Sequence, residues 1–286
     1  MTEMRGAVIS FPMFGAGFSI NPPDHIGLFG FKFYYYGLII AVGFLLAVLY
    51  TMKRSREFGI EQDNILDVIV FALPAGIIGA RLYYVVFNFA LYKNNFADVF
   101  RIWQGGLAVY GGITVGVLTA VAVCKTKKIR VGAFLDVVSY GFLIGQSIGR
   151  WGNFFNREAF GSETELFCRM GLALPGSEPV YVHPTFLYES LWNALGLLLL
   201  HLFSKAGKRA YDGQVFIMYV AWYGLGRVFI EGLRADSLYL FSSGIRVSQL
   251  LAGISLLVAA GALFINGREK HDPQNLWVNK KNAEKI

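Results

Sequence analysis

The chain reads as an all-α integral membrane protein of about seven transmembrane helices, N-terminus outside and C-terminus cytoplasmic. Three observations carry that reading. Of 286 residues, 55% are hydrophobic and 16% charged, with a mean hydropathy of +0.48, whereas a soluble domain carries about 25% charged residues. Seven apolar runs recur, each near the ~20 residues a helix needs to cross a bilayer core. Lys and Arg are dense in every second loop, as the positive-inside rule requires. The net charge of +7 is spread over these loops and forms no basic patch interleaved with aromatics, so nucleic acid is not an expected partner.

The chain opens with a head of residues 1–33, rich in Phe and holding Pro22 and Pro23. It is expected on the membrane face, where aromatics concentrate. No basic stretch leads into an apolar core with a cleavage site, so no removable signal peptide is expected. The runs then fall at 34–52, 65–91, 106–124, 131–149, 186–203, 213–230 and 247–266. Helices are the expected form, because backbone groups in lipid must be bonded internally. Pro74 inside the second run points to a kink or a re-entrant section.

One set of loops holds Lys53, Arg54, Arg56, Lys125, Lys127, Lys128, Arg130, Lys205, Lys208, Arg209, Arg268, Lys270, Lys280, Lys281 and Lys285, fifteen in all. The other holds nine: Arg5, Lys32, Lys93, Arg101, Arg150, Arg157, Arg169, Arg234 and Arg246. The longest internal loop, 150–185, forms an outer-side head within a single polytopic domain, 1–286. The tail, 267–286, is cytoplasmic, and its last ~15 residues read as solvated. Cys124 and Cys168 are expected on opposite sides and unpaired. The four His are dispersed, so no His-rich metal site is expected.

Charged residues inside spans cost roughly 2.5 to 3.5 kcal/mol at mid-span and by default mark function. Here they are Arg81, Asp136, Glu189, Arg227 and Glu231. All but Asp136 fall toward the outer end of their runs, as does Arg150. Glu231 follows Arg227 by four residues, so the two share a helix face. The plain alternative is a set of buried ion pairs joining Arg81 or Arg227 to Glu189 or Glu231. Asp136 reads as interfacial or capping. Gly105-Gly106 and Gly111-Gly112 bracket the third run's start; they serve close helix packing or bring the Tyr110 hydroxyl to a cavity. Tyr36-Gly37 is a belt anchor or a cavity wall.

The densest polar stretch runs from Gly149 to Gly161, with Arg150, Asn153, Asn156, Arg157 and Glu158 in thirteen residues. Glycines allow close backbone approach, and arginines offer forked donors for phosphate or carboxylate. The alternative is a capped helix end with interfacial charges.

This stretch matches the pattern Gly-Arg-x-Gly-Asn-Phe-x-Asn-x-Glu-x-x-Gly, and through it the chain resembles the prolipoprotein diacylglyceryl transferases of the bacterial cytoplasmic (inner) membrane. Supporting matches are Tyr36-Gly37, the Arg81 segment, the Gly pairs near Tyr110, His183-Pro184 with Leu187-Tyr188-Glu189, and Tyr223 through Arg227 to Glu231 and Arg234. The resemblance covers nearly the whole chain. It implies transfer of the diacylglyceryl group of phosphatidylglycerol, a membrane lipid, to the lipobox cysteine thiol in a prolipoprotein signal peptide region, releasing glycerol 1-phosphate at the outer leaflet. It implies neither cofactor nor metal. Arg150 and Arg227 would hold the phosphate, and Asn153 and Asn156 would orient head-group oxygens. Glu158 would pair an Arg or bind head-group hydroxyls. Gly161, Tyr36, Tyr223, Glu231 and Arg81 complete the expected substrate-binding set. One position departs: the family pattern has a His before the Gly-Gly pair where this chain has Tyr110, kept as a catalytic candidate with its role open. His183 reads as structural. An anion transporter or a non-catalytic scaffold are the competing classes; the absence of an inverted repeat in the sequence weighs against the first.

Overall fold

The computed structural model describes residues 4, 6–15, 17–28, 30–93, 95–237, 239 and 244–283. Arg5 and Lys285, counted above among the loop charges, lie outside them. Among the described residues, seven helices are long and apolar enough to cross a membrane: α1 Tyr35–Ser55, α2 Gln62–Phe87, α3 Val109–Thr126, α4 Val131–Asn156, α5 Thr185–Lys205, α6 Gln214–Leu233 and α7 Val247–Arg268. Each apolar run has become one helix. Their outward faces expose Val70, Phe71, Ile78, Val86, Leu257 and Val258, the surface expected of helices solvated by lipid. Pro74 lies inside a continuous α2, so no re-entrant section forms there. α4 runs on past its apolar segment to Asn156, because the polar residues that follow lie on one side of the same helix. The loop expected from residue 150 therefore begins at Arg157.

The chain divides into two compact units. The first comprises Met1–Thr51 and Asp136–Asp272. It adds to the helices two small sheets. One orders β2 (Ser19–Ile20), β1 (Val8–Ser10), β5 (Met170–Ala173) and β6 (Val180–Val182), all antiparallel, with Ile9 opposite Leu172. The other is a hairpin of β3 (His25–Leu28) and β4 (Phe31–Tyr34). Ala7, Ile9, Phe11, Met170, Leu172 and Val182, in the strands or directly beside them, bury themselves with Phe154 of α4, Phe160 and Phe186 of α5. Phe154 of the polar stretch is thus core: its ring meets those of Phe11, Trp151 and Phe186. Asp136 is fully buried and accepts hydrogen bonds from the Gly213 and Phe216 amides, both at 2.9 Å. It caps the start of α6 from α4, where those amides have no partner within their own helix.

The second unit comprises Met52–Leu135 and Pro273–Ile286. Here α2 and α3 pack through small residues. A Cβ on Gly76 would sit 3.2 Å from the Gly112 carbonyl, and one on Gly79 would run into Val115. The tail is not simply solvated. Trp277–Ala283 forms a short helix, α8, whose Val278 and Trp277 lie directly against Gly59, while Arg130 donates to the Asn275 carbonyl at 2.8 Å. Apolar Leu276, buried in this unit, gives the tail a reason to dock.

Candidate active site

The first unit gathers three arginines around one carboxylate. Arg150 projects from α4, Arg227 from α6, and Arg234 follows α6 directly. Arg150 Nη2 lies 2.6 Å from Glu189 Oε2, Arg227 Nη1 3.2 Å from both Glu189 oxygens, and Arg234 Nη1 3.4 Å from Glu189 Oε1. The Glu189 side chain, on the first turns of α5, is 4% exposed against 25% for Arg150. Arg227 also pairs with Glu231 one turn along α6, as the four-residue spacing requires. Ser237 Oγ donates to the other Glu231 oxygen at 3.0 Å. Arg234 completes a two-pronged contact with Asp236 at 2.7 and 2.9 Å. Burial works to lower the Arg234 guanidinium, and Asp236, Glu189 and Glu231 outweigh it, so its proton is held more firmly than usual. Burial likewise works to raise the Asp236 carboxyl, and Arg234 overrides it to keep the group below the ordinary carboxylate range.

Beside Arg150 on the same helix face is Asn153, three residues on. Its amide and that of Asn156 both donate to Glu158 Oε1 at 3.1 Å. The carboxylate is held by two amides rather than by an arginine. Past α4 the backbone turns through positive φ at Arg157 and Ala159, an uncommon conformation outside glycine. Arg157 stabilises that turn from inside. Its guanidinium donates to the carbonyls of Ala7 at 3.0 Å, Phe155 at 2.7 Å and Pro22 at 2.5 Å and to Asn21 Oδ1 at 2.9 Å. With its donors so occupied, Arg157 ties the N-terminal head to α4.

Three of the glycines and Tyr36 explain each other. A Cβ on Gly152 would stand 2.7 Å from the Tyr36 ring, and one on Gly149 would stand 3.3 Å from Ile40, so α1 crosses α4 at the polar stretch. Gly161 is wedged between His183, Thr185 and the Leu233 carbonyl and pairs with Arg234 as an isolated bridge. Tyr36 and Gly37 line a cavity of about 650 Å³ together with Asn21, Asp24, Asn156 and Arg157, the cavity-wall role of the two readings. Tyr223 stacks on Tyr219 at 6.1 Å between centroids. His183 bonds through its backbone to Gly161 and Ser162, and burial pushes its imidazole below the usual value, favouring the neutral ring. That agrees with a structural part.

Arg81 and Tyr110 belong to the second unit. Arg81 is buried, and its N–H groups reach the carbonyls of Val99 at 2.8 Å, Asp98 at 2.6 Å, Gly105 at 2.6 Å, Gly106 at 2.9 Å and Arg101 at 3.5 Å. Gly105 and Gly106 take positive φ to aim those carbonyls, and a Cβ at Gly106 would meet the guanidinium itself. Arg81 is therefore spent on the loop preceding α3, not offered to a ligand. Tyr110 stands in the first turn of α3, 54% exposed. A polar cavity of about 820 Å³ in this unit, lined by Arg56, Lys127, Lys128 and Lys281 among others, contains none of the expected site residues.

Two residues outside the expected set prove central to the geometry, Glu189 and Arg234. The signal for Glu189 was its place as a lone carboxylate inside a span. Arg234 carried no signal beyond its match to the family pattern.

A sequence model described as prolipoprotein diacylglyceryl transferase matches residues 23–265. The chain is 40% identical over 260 residues to the phosphatidylglycerol–prolipoprotein diacylglyceryl transferase of Lactiplantibacillus plantarum, covering 88% of this chain and 91% of that one. To the protein of the same name from Streptococcus pneumoniae (strain Hungary19A-6) it is 44% identical over 237 residues, 81% and 88% of the two chains. To that from Listeria welshimeri it is 42% identical over 246 residues, 84% and 87%. With the match running through six of the seven spanning helices and nearly all of the seventh, the chain belongs to the prolipoprotein diacylglyceryl transferase family.

Proposed function

We propose that this chain transfers the diacylglyceryl group of phosphatidylglycerol to the lipobox cysteine thiol of prolipoproteins, the first step of lipoprotein maturation. The observation that carries the reading, beside family membership, is the convergence of Arg150, Arg227 and Arg234 in one half-buried cluster around Glu189. The thiol sulfur forms a bond to the glyceryl carbon, and the bond from that carbon to the phosphate oxygen breaks. Glycerol 1-phosphate leaves with the electron pair. Its oxygen gains charge in the transition state, which Arg150 and Arg227 stabilise by charge-assisted hydrogen bonds. Glu158, fixed by Asn153 and Asn156, accepts from head-group hydroxyls. Tyr36 and Gly161 set the walls and the turn around them, Tyr223 flanks the arginines, and Glu231 orients Arg227. Arg81 acts through the loop it holds. Tyr110 takes part at the thiol, whose unperturbed pKa of about 8.5 calls for only modest help in losing its proton.

We place the chain in the bacterial cytoplasmic membrane as one polytopic domain with the site at the outer leaflet, on the strength of the loop charges. The test is direct: purified protein, labelled phosphatidylglycerol and a peptide bearing the lipobox cysteine. Label on the peptide supports the reading; none, with lipid binding verified, overturns it.

A further inference from the structure

We propose that Glu189 is the positioning residue of the phosphate site, gathering Arg150, Arg227 and Arg234 before the donor arrives and yielding them to its phosphate. The inference rests on the transferase reading and concerns a residue outside the set assigned above. Three guanidiniums brought from α4, α6 and the segment after α6 repel one another. A single carboxylate can face all three: Glu189 accepts from Arg227 at 3.2 Å and from Arg234 at 3.4 Å, and forms an ion pair with Arg150 at 2.6 Å. Among the described residues it is the one acid that touches every arginine of the cluster.

The arginines are already engaged without the substrate: Arg150, Arg227 and Arg234 face Glu189, Glu231 and Asp236, and Arg246 donates to the Glu231 backbone carbonyl beside them. An arriving phosphodiester competes for the same guanidinium donors, so the carboxylate that holds them least firmly gives way. Glu231 is braced by Ser237 and by Arg227 on its own helix. Asp236 holds Arg234 through two hydrogen bonds two residues away. Glu189 reaches Arg227 and Arg234 only through longer contacts, and its donors are those a phosphate can take over, since carboxylate and phosphate accept the same guanidinium fork. Glu189 therefore does two opposed things: it keeps the arginines in place and competes with the anion for them.

Those two effects separate in experiment. Glycerol 1-phosphate binding to the detergent-purified chain is read by calorimetry, and turnover by lipid transfer to the lipobox peptide. Glu189→Gln keeps the shape and removes the charge. It is expected to bind glycerol 1-phosphate about tenfold more tightly, some 1.4 kcal/mol, and to turn over about 10²-fold more slowly, the scale of an ångström's misplacement. Glu189→Asp is expected to recover part of the turnover. A merely structural role would weaken binding and turnover together. That result, or unchanged values in Glu189→Gln, would overturn the proposal. If Glu189→Gln is recovered unfolded, Glu189→Asp alone decides: slower turnover with glycerol 1-phosphate binding not weakened supports the proposal, and binding and turnover weakened together, or wild-type values for both, overturn it. Absence of transfer in the wild type bears instead on the transferase reading, because the binding measurement does not depend on turnover.

Discussion

Arg150 and Arg157 stand seven residues apart in one polar stretch and have different tasks. Arg150 keeps its side chain 25% exposed beside a shared carboxylate, whereas Arg157 is buried and bonded to three backbone carbonyls and an amide oxygen. Arg150→Ala should lower kcat/KM by about 10²–10³, the scale of losing one charge-stabilising donor, with membrane insertion intact. Arg150→Lys should recover little, because an ammonium lacks the fork. Transfer at the wild-type rate in Arg150→Ala would remove it from the site. Arg157→Ala should act on stability instead, on the order of 3 kcal/mol for carbonyls left without donors. It would show as early proteolytic cutting in the head and a lowered Tm. Tyr110→Phe should slow transfer at least about tenfold if its hydroxyl takes part; equal rates at several pH values would exclude it. In the sequence, the shared depth of Arg150, Glu189, Arg227 and Glu231 was readable because charges inside apolar runs stand out. The Arg227 pairs with Glu231 and Glu189 were among the ion pairs weighed there, and both form; the convergence of Arg150 and Arg234 on the same Glu189 was not readable, because it depends on how α4, α5 and α6 are rotated, and hydropathy does not report rotation.

At the level of helices, close crossings decide which faces meet. α5 and α6 cross through two copies of one arrangement, Trp-x-x-x-Gly, at Trp192–Gly196 and Trp222–Gly226. The indoles stack at 4.2 Å and 13°, and each Nε1 donates to the other Trp's carbonyl at 3.0 Å. Each glycine lies under the opposite ring. α2 and α3 use Gly76, Gly79, Gly111 and Gly112 in the same way, which makes the Gly111-Gly112 pair a packing feature, while Gly105-Gly106 serves Arg81. Such interfaces replace the hydrophobic drive that lipid-solvated helices lack. Gly226→Ala should therefore lose about 1–3 kcal/mol through overpacking. Gly261→Ala, with open space at its Cβ position on α7, should be neutral or slightly stabilising, since alanine favours helix over glycine by about 1 kcal/mol. Thermal unfolding of both variants in detergent makes the comparison; an equal shift would show that the crossing tolerates a methyl group. The seven helices themselves were plain in the sequence, because the bilayer demands long apolar runs. Which helices touch was not, since glycines recur throughout.

Across the whole chain, the parts that were hidden are the parts that are short and non-local. β1 and β5 are three and four residues long and separated by about 160 positions, too little periodicity for a pattern to register. α8 was hidden for a different reason: its lysines read as a solvated tail, yet Trp277 and Val278 dock it against Gly59. The loop charges span the full length, with fifteen basic residues in one set and nine in the other, and the proposed orientation rests on them. Positive loops stay in the cytoplasm, so the head that contains Glu165 should lie outside and α8 inside. With Cys124 and Cys168, both free thiols, changed to Ser, a membrane-impermeant maleimide should label Glu165→Cys in intact cells. It should label Asn282→Cys only after permeabilisation. The reverse pattern would put the arginine cluster's loops on the cytoplasmic face and separate the phosphate site from a secreted acceptor. Labelling of both positions in intact cells would mean that the chain does not keep one orientation, and the charge asymmetry would then be too weak to set it.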